Sequence, residues 1–294
     1  MAYLSIENVN KIYNTKQGRF NVLQNVSMGI ERGEFVSLIG HSGCGKSTIL
    51  NIVAGLEKAT DGRVVLDGKP IAGPGPDRGV VFQNYSLLPW LSVYGNVYEV
   101  VDAVFPSKSK AEKRDIVERF LTIVGLWKHR DKRPDEISGG MKQRAAIARA
   151  FAVGPQVLLL DEPFGALDAL TRSTLQDELV GLMKSAGSGG GNGGSGGTSG
   201  TGSTSGNKGT SGNGGSNGGT DTVIMVTHDI DEAIFLSDRI VVMTNGPAAT
   251  IRKIITVPLA RPRVRKEVIN HPVYTELKRE LLEYLHGSPA AAAH

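Results

Sequence analysis

Between Gly40 and Ser47 the chain reads Gly40-His41-Ser42-Gly43-Cys44-Gly45-Lys46-Ser47, which meets the G-x-x-x-x-G-K-[ST] spacing at every fixed position. Glycines placed this way let successive backbone N–H groups turn inward around phosphate oxygens, and a helix starting where the loop ends adds its positive pole. Lys46 is then placed to reach the β- and γ-phosphates, Ser47 to bind Mg²⁺, and Thr48 to assist with the phosphates. A second chemical group closes an apolar run, Val157-Leu158-Leu159-Leu160-Asp161-Glu162. Carboxylates at the end of a buried strand stand at the sheet edge where ligands of open α/β sheets bind. Asp161 suits the Mg²⁺ shell, and Glu162 suits removal of a proton from an attacking water.

These groups need a strand before the loop and a helix after it. Phe35-Val36-Ser37-Leu38-Ile39 reads as a buried strand, and helical spacing after Ser47 puts Ile49, Ile52 and Val53 on one face. Tyr3 to Val9 and Val22 to Ile30 alternate as strands do. Val157 to Leu160 and Val223 to Val226 are nearly continuous apolar runs, as expected of parallel strands covered on both faces. The sum is an α/β core. Between residues 84 and 135 the character changes: Lys110 to Val124 is charge-rich, with Ile116, Phe120, Ile123 and Val124 predicted as the apolar face of a helix. A further helix is predicted from Leu170 to Lys184, and a packed terminal one from Val273, Leu277, Leu281 and Leu285.

Composition closes off other classes. At 40% hydrophobic and 21% charged residues, the 294-residue chain is not a wholly disordered one. Cys44 is the single cysteine, which excludes an intramolecular disulfide framework and a cysteine-cluster zinc site. The start of the chain shows no secretory signal, and no apolar run approaches the ~20 residues needed to cross a bilayer. The net charge of +4 is local, because residues 251–270 hold six basic side chains against Glu267 alone. No aromatic residues interleave with them, so this run is predicted to be a solvated strand end and linker, and no nucleic acid is expected as a partner. Of the 38 glycines, 17 lie between Gly187 and Gly219, among Ser, Thr, Asn and Lys208 only. Such a tract is predicted to be a flexible surface loop between a helix and a core strand. Lengthening that connection costs roughly 2 kcal/mol of closure entropy, which a sound core absorbs.

A third motif carries a resemblance. Ser138-Gly139-Gly140-Met141-Lys142-Gln143, followed by Arg144-Ala145-Ala146-Ile147-Ala148-Arg149-Ala150, resembles the signature of ATP-binding cassette proteins, and the whole is similar to the ATPase subunit of a bacterial importer. The resemblance implies a P-loop NTPase (RecA-like) core with an antiparallel β subdomain and an α-helical subdomain. It spans residues 3 to 250, with the helical subdomain at about 84–137, the glycine-rich insertion at 187–219 and a C-terminal extension at 251–294. It also implies residue roles. Tyr13 would stack on adenine, Gln83 would join the two subdomains and the Mg²⁺ site, and His228 would contact the γ-phosphate. Ala166-Leu167-Asp168 would form the loop after the acidic pair, with Asp168 serving a dimer contact. The signature residues Ser138, Gly139 and Gly140 would meet ATP held by the phosphate loop of a second ATPase subunit, in a homodimer or related heterodimer.

A narrower resemblance rests on Gly73 through Trp90, Thr227 through Arg239, Met243-Thr244-Asn245-Gly246-Pro247 and Ala260-Arg261-Pro262-Arg263. These look like the nitrate, bicarbonate and sulfonate importer branch, with nitrate favoured and bicarbonate, sulfonate or taurine, and cyanate as alternatives. The implied partners are integral-membrane permease subunits, docking on the segment from Asn84 to Tyr94 that includes Trp90, and indirectly a solute-binding protein. The implied location is peripheral, on the cytoplasmic face of the inner membrane, with no added solute-sensing domain. The alternative of another class, a soluble cassette ATPase of DNA repair or translation, would bring a second cassette, long coiled coils or zinc-binding insertions.

Overall fold

The computed structural model describes residues 2–16, 18–165, 167–187, 222–261 and 263–286. The chain opens with β1 (Leu4–Thr15), β2 (Gly18–Ile30) and β3 (Phe35–Ile39), then α1 (Lys46–Ala54), β4 (Asp61–Leu66), β5 (Lys69–Pro70) and β6 (Arg78–Val81). Three helices follow, α2 (Val93–Val104), α3 (Lys110–Ile123) and α4 (Gly139–Phe151), leading to β7 (Val157–Asp161) and α5 (Ala169–Gly187). The remainder is β8 (Thr222–Val226), α6 (Ile230–Leu236), β9 (Arg239–Met243), β10 (Ile251–Thr256), α7 (Arg265–Ile269) and α8 (Pro272–His286).

Six strands form the central sheet in the order β10-β9-β3-β8-β7-β6. All neighbours are parallel except β10, which runs antiparallel to β9. Every residue of β3 and β8 is buried, and so are the first four of β7, because helices cover a parallel sheet on both faces. Since adjacent side chains point to opposite faces, the strands feed two cores. Phe35, Ile39, Leu158, Leu160, Val223 and Met225 pack with the helical region. Val36, Leu38, Leu159, Ile224 and Val226 pack with α1 and the antiparallel sheet β2-β1-β4-β5. This is the α/β architecture read from the sequence, with an antiparallel sheet and a helical region beside the central sheet. The glycine tract from residue 188 onwards, Ala166, Pro262 and the tail Ala290 to His294 lie outside the described residues.

Local signals set the helix ends. α1 stops at Gly55, which takes a left-handed φ of 76° and returns its N–H to Ile52 O at 3.0 Å. α3 starts with a reciprocal capping box, in which the Ser109 hydroxyl accepts from the Glu112 N–H while the Glu112 carboxylate accepts from the Ser109 N–H.

Two expectations need correction. The buried face of α3 is Val117 and Leu121, continued by Val124 at its C-cap as expected, with the stem of Lys113, whose ammonium reaches Asp102 at 2.8 Å. Ile116 and Phe120 are only half-buried and Ile123 is exposed. The buried stripe through Lys113, Val117, Leu121 and Val124 keeps helical spacing and packs against α2 and α4, which places Ile123 outside it. The basic run after residue 250 is not a solvated linker either. Arg261 pairs with Asp238 at 2.7 Å, Arg252 donates to Tyr284 O at 2.8 Å, and Arg263 donates to the Ile234, Phe235 and Ser237 carbonyls at the end of α6. A guanidinium answers the open carbonyls of a helix C-terminus, and burial pulls Arg263 down to about 10.

α8 docks through Leu277 and Leu281, as its spacing predicted, with Val273 and Leu285 at the margin. Leu281 is fully buried. Leu281→Ala is expected to lower the unfolding free energy by about 2–4 kcal/mol in a urea titration.

Candidate functional site

Because β3 enters the sheet between β9 and β8, the loop after it emerges at the carboxyl edge beside the end of β8, one strand away from that of β7. Gly40 leaves the strand with φ of 155°, and a Cβ there would stand 2.9 Å from Cys44 Sγ. Cys44 is itself buried. Gly43 and Gly45 have φ of 79° and 86°, conformations that glycine adopts without steric cost. Gly45 is the N-cap of α1, and a Cβ there would lie 2.6 Å from Leu23 Cδ2. Lys46 is buried, with Nζ donating to Gly40 O at 2.8 Å and His41 O at 3.0 Å. The ammonium thus stands inside the ring of its own loop. A cavity of about 290 Å³ opens here, lined by Ser42, Gly43, Gly45, Lys46, Ser47 and Thr48, with Val22 on one side and Glu162 and His228 on the other.

The parallel pairing of β7 with β8 puts Asp161 opposite Val226. The acidic pair that ends one strand therefore stands beside the Thr227-His228 end of the next. Ser47 Oγ donates to Asp161 Oδ1 at 3.0 Å. Burial pushes the Asp161 carboxyl up, opposed chiefly by that hydrogen bond. Glu162 takes a left-handed φ of 46°. Its Oε2 accepts from Gln83 Nε2 at 2.8 Å, and its Oε1 lies 2.5 Å from His228 Nε2. Gln83 comes from the segment after β6, Glu162 from the end of β7 and His228 from the end of β8, so three adjacent parallel strands bring them together.

The tertiary structure does not bring every predicted residue here. Ser138 caps α4, its hydroxyl accepting from the Met141 N–H at 3.4 Å. Gly139 lies near the Tyr85 hydroxyl, and Gly140 abuts Thr171 of α5, where a Cβ would stand 2.9 Å from its methyl. None of the three lines the phosphate-loop cavity. Tyr13, on β1, donates its hydroxyl to Glu57 at 2.6 and 2.8 Å, interacts with Thr48 of α1, and has the Lys11 ammonium 4.8 Å from its ring centre. Burial raises its phenol, and Glu57 raises it further.

A family description for ABC transporters matches residues 23–165. Over 286 residues the chain is 49% identical to the bicarbonate transport ATP-binding protein CmpD of Synechocystis sp., covering 97% of this chain and 90% of that protein. It is 46% identical over 285 residues to the nitrate import ATP-binding protein NrtD of Synechococcus elongatus, covering 97% and 92%. The chain belongs to the ABC transporter family. The dimeric ATP-binding cassette MJ0796, in a post-hydrolysis state bound to ADP and Pi, superposes with a TM-score of 0.68 at 29% identity, covering 87% of this chain and all of that one. This ABC cassette binds ATP and is an ATPase. Among its described residues no helix is long and apolar enough to cross a membrane.

Sequence reasoning missed a second layer of the cassette's site. Arg172 of α5 pairs with Asp229 at 2.9 Å, and Glu232, Gln176 and Thr227 form a buried polar cluster behind His228. One signal was available. Glu232 sits three residues before Phe235 and four before Leu236, which puts it on the apolar side of α6. For the loop itself, Gly45→Ala combines a left-handed φ with a clash against Leu23. It is expected to cost about 1–3 kcal/mol, measured by thermal melting, and to weaken binding of a fluorescent ATP analogue at least roughly tenfold.

Proposed function

We propose that this ABC cassette drives import of a small planar oxyanion, nitrate or bicarbonate, by hydrolysing ATP in a head-to-tail dimer. The observation that carries the reading is the convergence of Gln83, Glu162 and His228 at the mouth of the phosphate-loop cavity. CmpD and NrtD, 49% and 46% identical to this chain, carry names that divide between the two anions, so the proposal takes in both.

The residues fit Mg²⁺. Ser47 and Asp161 offer a hydroxyl and a carboxylate side by side, and Gln83 adds an amide. Mg²⁺ is commonly held by one or two carboxylates together with substrate phosphates and water. Among the described residues no cluster of three or more His, Cys, Asp or Glu forms an all-protein cage. When bound, the ion would neutralise charge on the β- and γ-phosphates. The backbone of residues 40–45, the N-terminus of α1 and Lys46 cradle those phosphates. Glu162 takes the proton of the attacking water, oriented by Gln83 on one oxygen and His228 on the other. His228 also faces the γ-phosphate, and Tyr13 stacks on adenine. Ser138, Gly139 and Gly140, which lie away from this chain's own loop, serve the ATP of a second subunit, where the start of α4 offers N–H groups to an anion. Residues 3–250 act as the cassette and 251–294 as an extension, in which Arg263, Tyr274 and Lys278 brace α6.

The permease contact falls on Asn84 to Tyr94. Trp90 is 66% exposed, and an exposed Trp on a loop is a common interaction anchor. The complex would place the chain peripherally on the cytoplasmic face of the inner membrane, linked through the permease to a solute-binding protein.

Two variants test the reading. Glu162→Gln is expected to keep ATP affinity while lowering kcat by about 100-fold or more, since a general base contributes roughly 10²–10⁴. In a reconstituted transporter, Trp90→Ala is expected to impair nitrate or bicarbonate uptake far more than basal ATP hydrolysis. Near-normal turnover in the first, or equal losses in the second, would contradict it.

A further inference from the structure

Glu232 is the one buried carboxylate among the described residues, and the reaction just described does not use it. It lies in α6, whose N-cap is Asp229, next to His228. Its Oε2 accepts from the Thr227 hydroxyl, and Thr227 Oγ1 in turn accepts from the Asp229 N–H at 3.1 Å. One hydroxyl therefore ties together the two residues flanking His228, and Glu232 fixes that hydroxyl. The other carboxylate oxygen accepts from Gln176 Nε2 at 2.8 Å. Gln176 is buried in α5 and is itself held, its Oε1 accepting from Arg265 Nη2 at 2.5 Å. Arg265 stacks 4.1 Å from the Phe235 ring centre.

The donor count makes this cluster sensitive to one proton. An ionised carboxylate only accepts, and its two oxygens match the Thr227 hydroxyl and the Gln176 amide. A proton on Glu232 adds a donor, and the one oxygen in the cluster with a lone pair free to take it is Thr227 Oγ1. Gln176 cannot answer by flipping, because its NH₂ would then face Arg265. The Thr227 bond must then reverse, Glu232 donating to Thr227 Oγ1 while the Thr227 proton turns away from the cluster, so a charge-assisted bond that pins the His228 segment is replaced by a weaker neutral one. We propose that Glu232 is a positioning residue for His228: its ionised carboxylate, acting through Thr227, holds the His228 segment against Glu162, and its protonation weakens that hold and slows hydrolysis. The inference rests on the proposed reading in which His228 faces the γ-phosphate.

The surroundings bring that proton into the working range. Burial pushes Glu232 up to about 7, against the lowering effect of its two hydrogen bonds, with Asp229 raising it further and Arg172 lowering it. The nearby charges are otherwise engaged. Arg172 pairs with Asp229 at 2.9 Å, Lys278 of α8 with Asp231 at 2.7 Å, and His228 with Glu162 at 2.5 Å. Arg265 of α7 also reaches Asp177 of α5 at 3.9 Å. Glu162, His228, Asp231 and Lys278 share with Glu232 a cavity of about 500 Å³.

The test is kcat of the purified full chain at saturating MgATP across pH 6 to 9, together with KM. The wild type is expected to lose activity on the acid side with a midpoint of about 7. Glu232→Gln has one acceptor oxygen and no charge, so it should turn over roughly tenfold more slowly at alkaline pH, keep KM within about twofold, and lack that limb. Gln176→Met removes a donor to the ionised form and should move the midpoint upward by about half a unit or more, with melting curves confirming the fold. An acid limb unchanged in Glu232→Gln, or an unmoved midpoint in folded Gln176→Met, would overturn the inference; should Glu232→Gln not fold, Gln176→Met decides alone. A wild type that hydrolyses no ATP at any pH would instead overturn the proposed function, and this inference with it.

Discussion

A triphosphate carries more negative charge than any protein interior tolerates unless the answering donors are fixed before it arrives. In this chain that constraint is met by backbone. The turn from Gly40 to Gly45 sits between a fully buried strand and the start of α1, and left-handed glycines direct its N–H groups. The turn is rigid because each side is packed: Cys44 against Gly40, and Gly45 against Leu23 and Val22. The antiparallel sheet is therefore part of the phosphate site, since β2 supplies the wall that holds the loop.

The opposing acids face the same constraint with the sign reversed. Asp161 and Glu162 would repel the nucleotide if left bare. Ser47 occupies one, and Gln83 and His228 occupy the other. Each partner comes from a different strand or loop, so the sheet order β6-β7-β8 sets the distances. Backbone strain is present here as well. Glu162, Tyr85 and Ser86 take positive φ, and Arg149 of α4 donates to the Ser86 and Tyr85 carbonyls at 2.6 and 3.0 Å. Strained residues held by their surroundings are typical of functional segments.

The C-terminal segment shows how a peripheral element reaches the centre. Arg263 satisfies the last carbonyls of α6, Tyr274 and Lys278 hold Asp231 near its start, and Arg265 braces Gln176. A helix of seven residues has too few hydrogen bonds to be stable by itself. Its orientation, and with it that of His228, is set by what grips its two ends.

Much was legible in the residues alone. The phosphate loop, the acidic strand end, the strand β3 and the apolar spacing of α8 are local patterns, in which neighbours along the chain are also neighbours in space. What the sequence could not decide was any contact between distant segments. The buried side of α3 takes in Val117 and Leu121 beside the expected Val124 and leaves Ile123 outside, because α2 and α4 pack along that stripe. The basic run found carbonyls and carboxylates rather than water, because α6 ends beside it. Glu232 became buried because α5, through Gln176, packs against its side of α6. Periodicity reports which side of an element is apolar, but desolvation and hydrogen-bond partners depend on what packs against it, and only the tertiary structure supplies that.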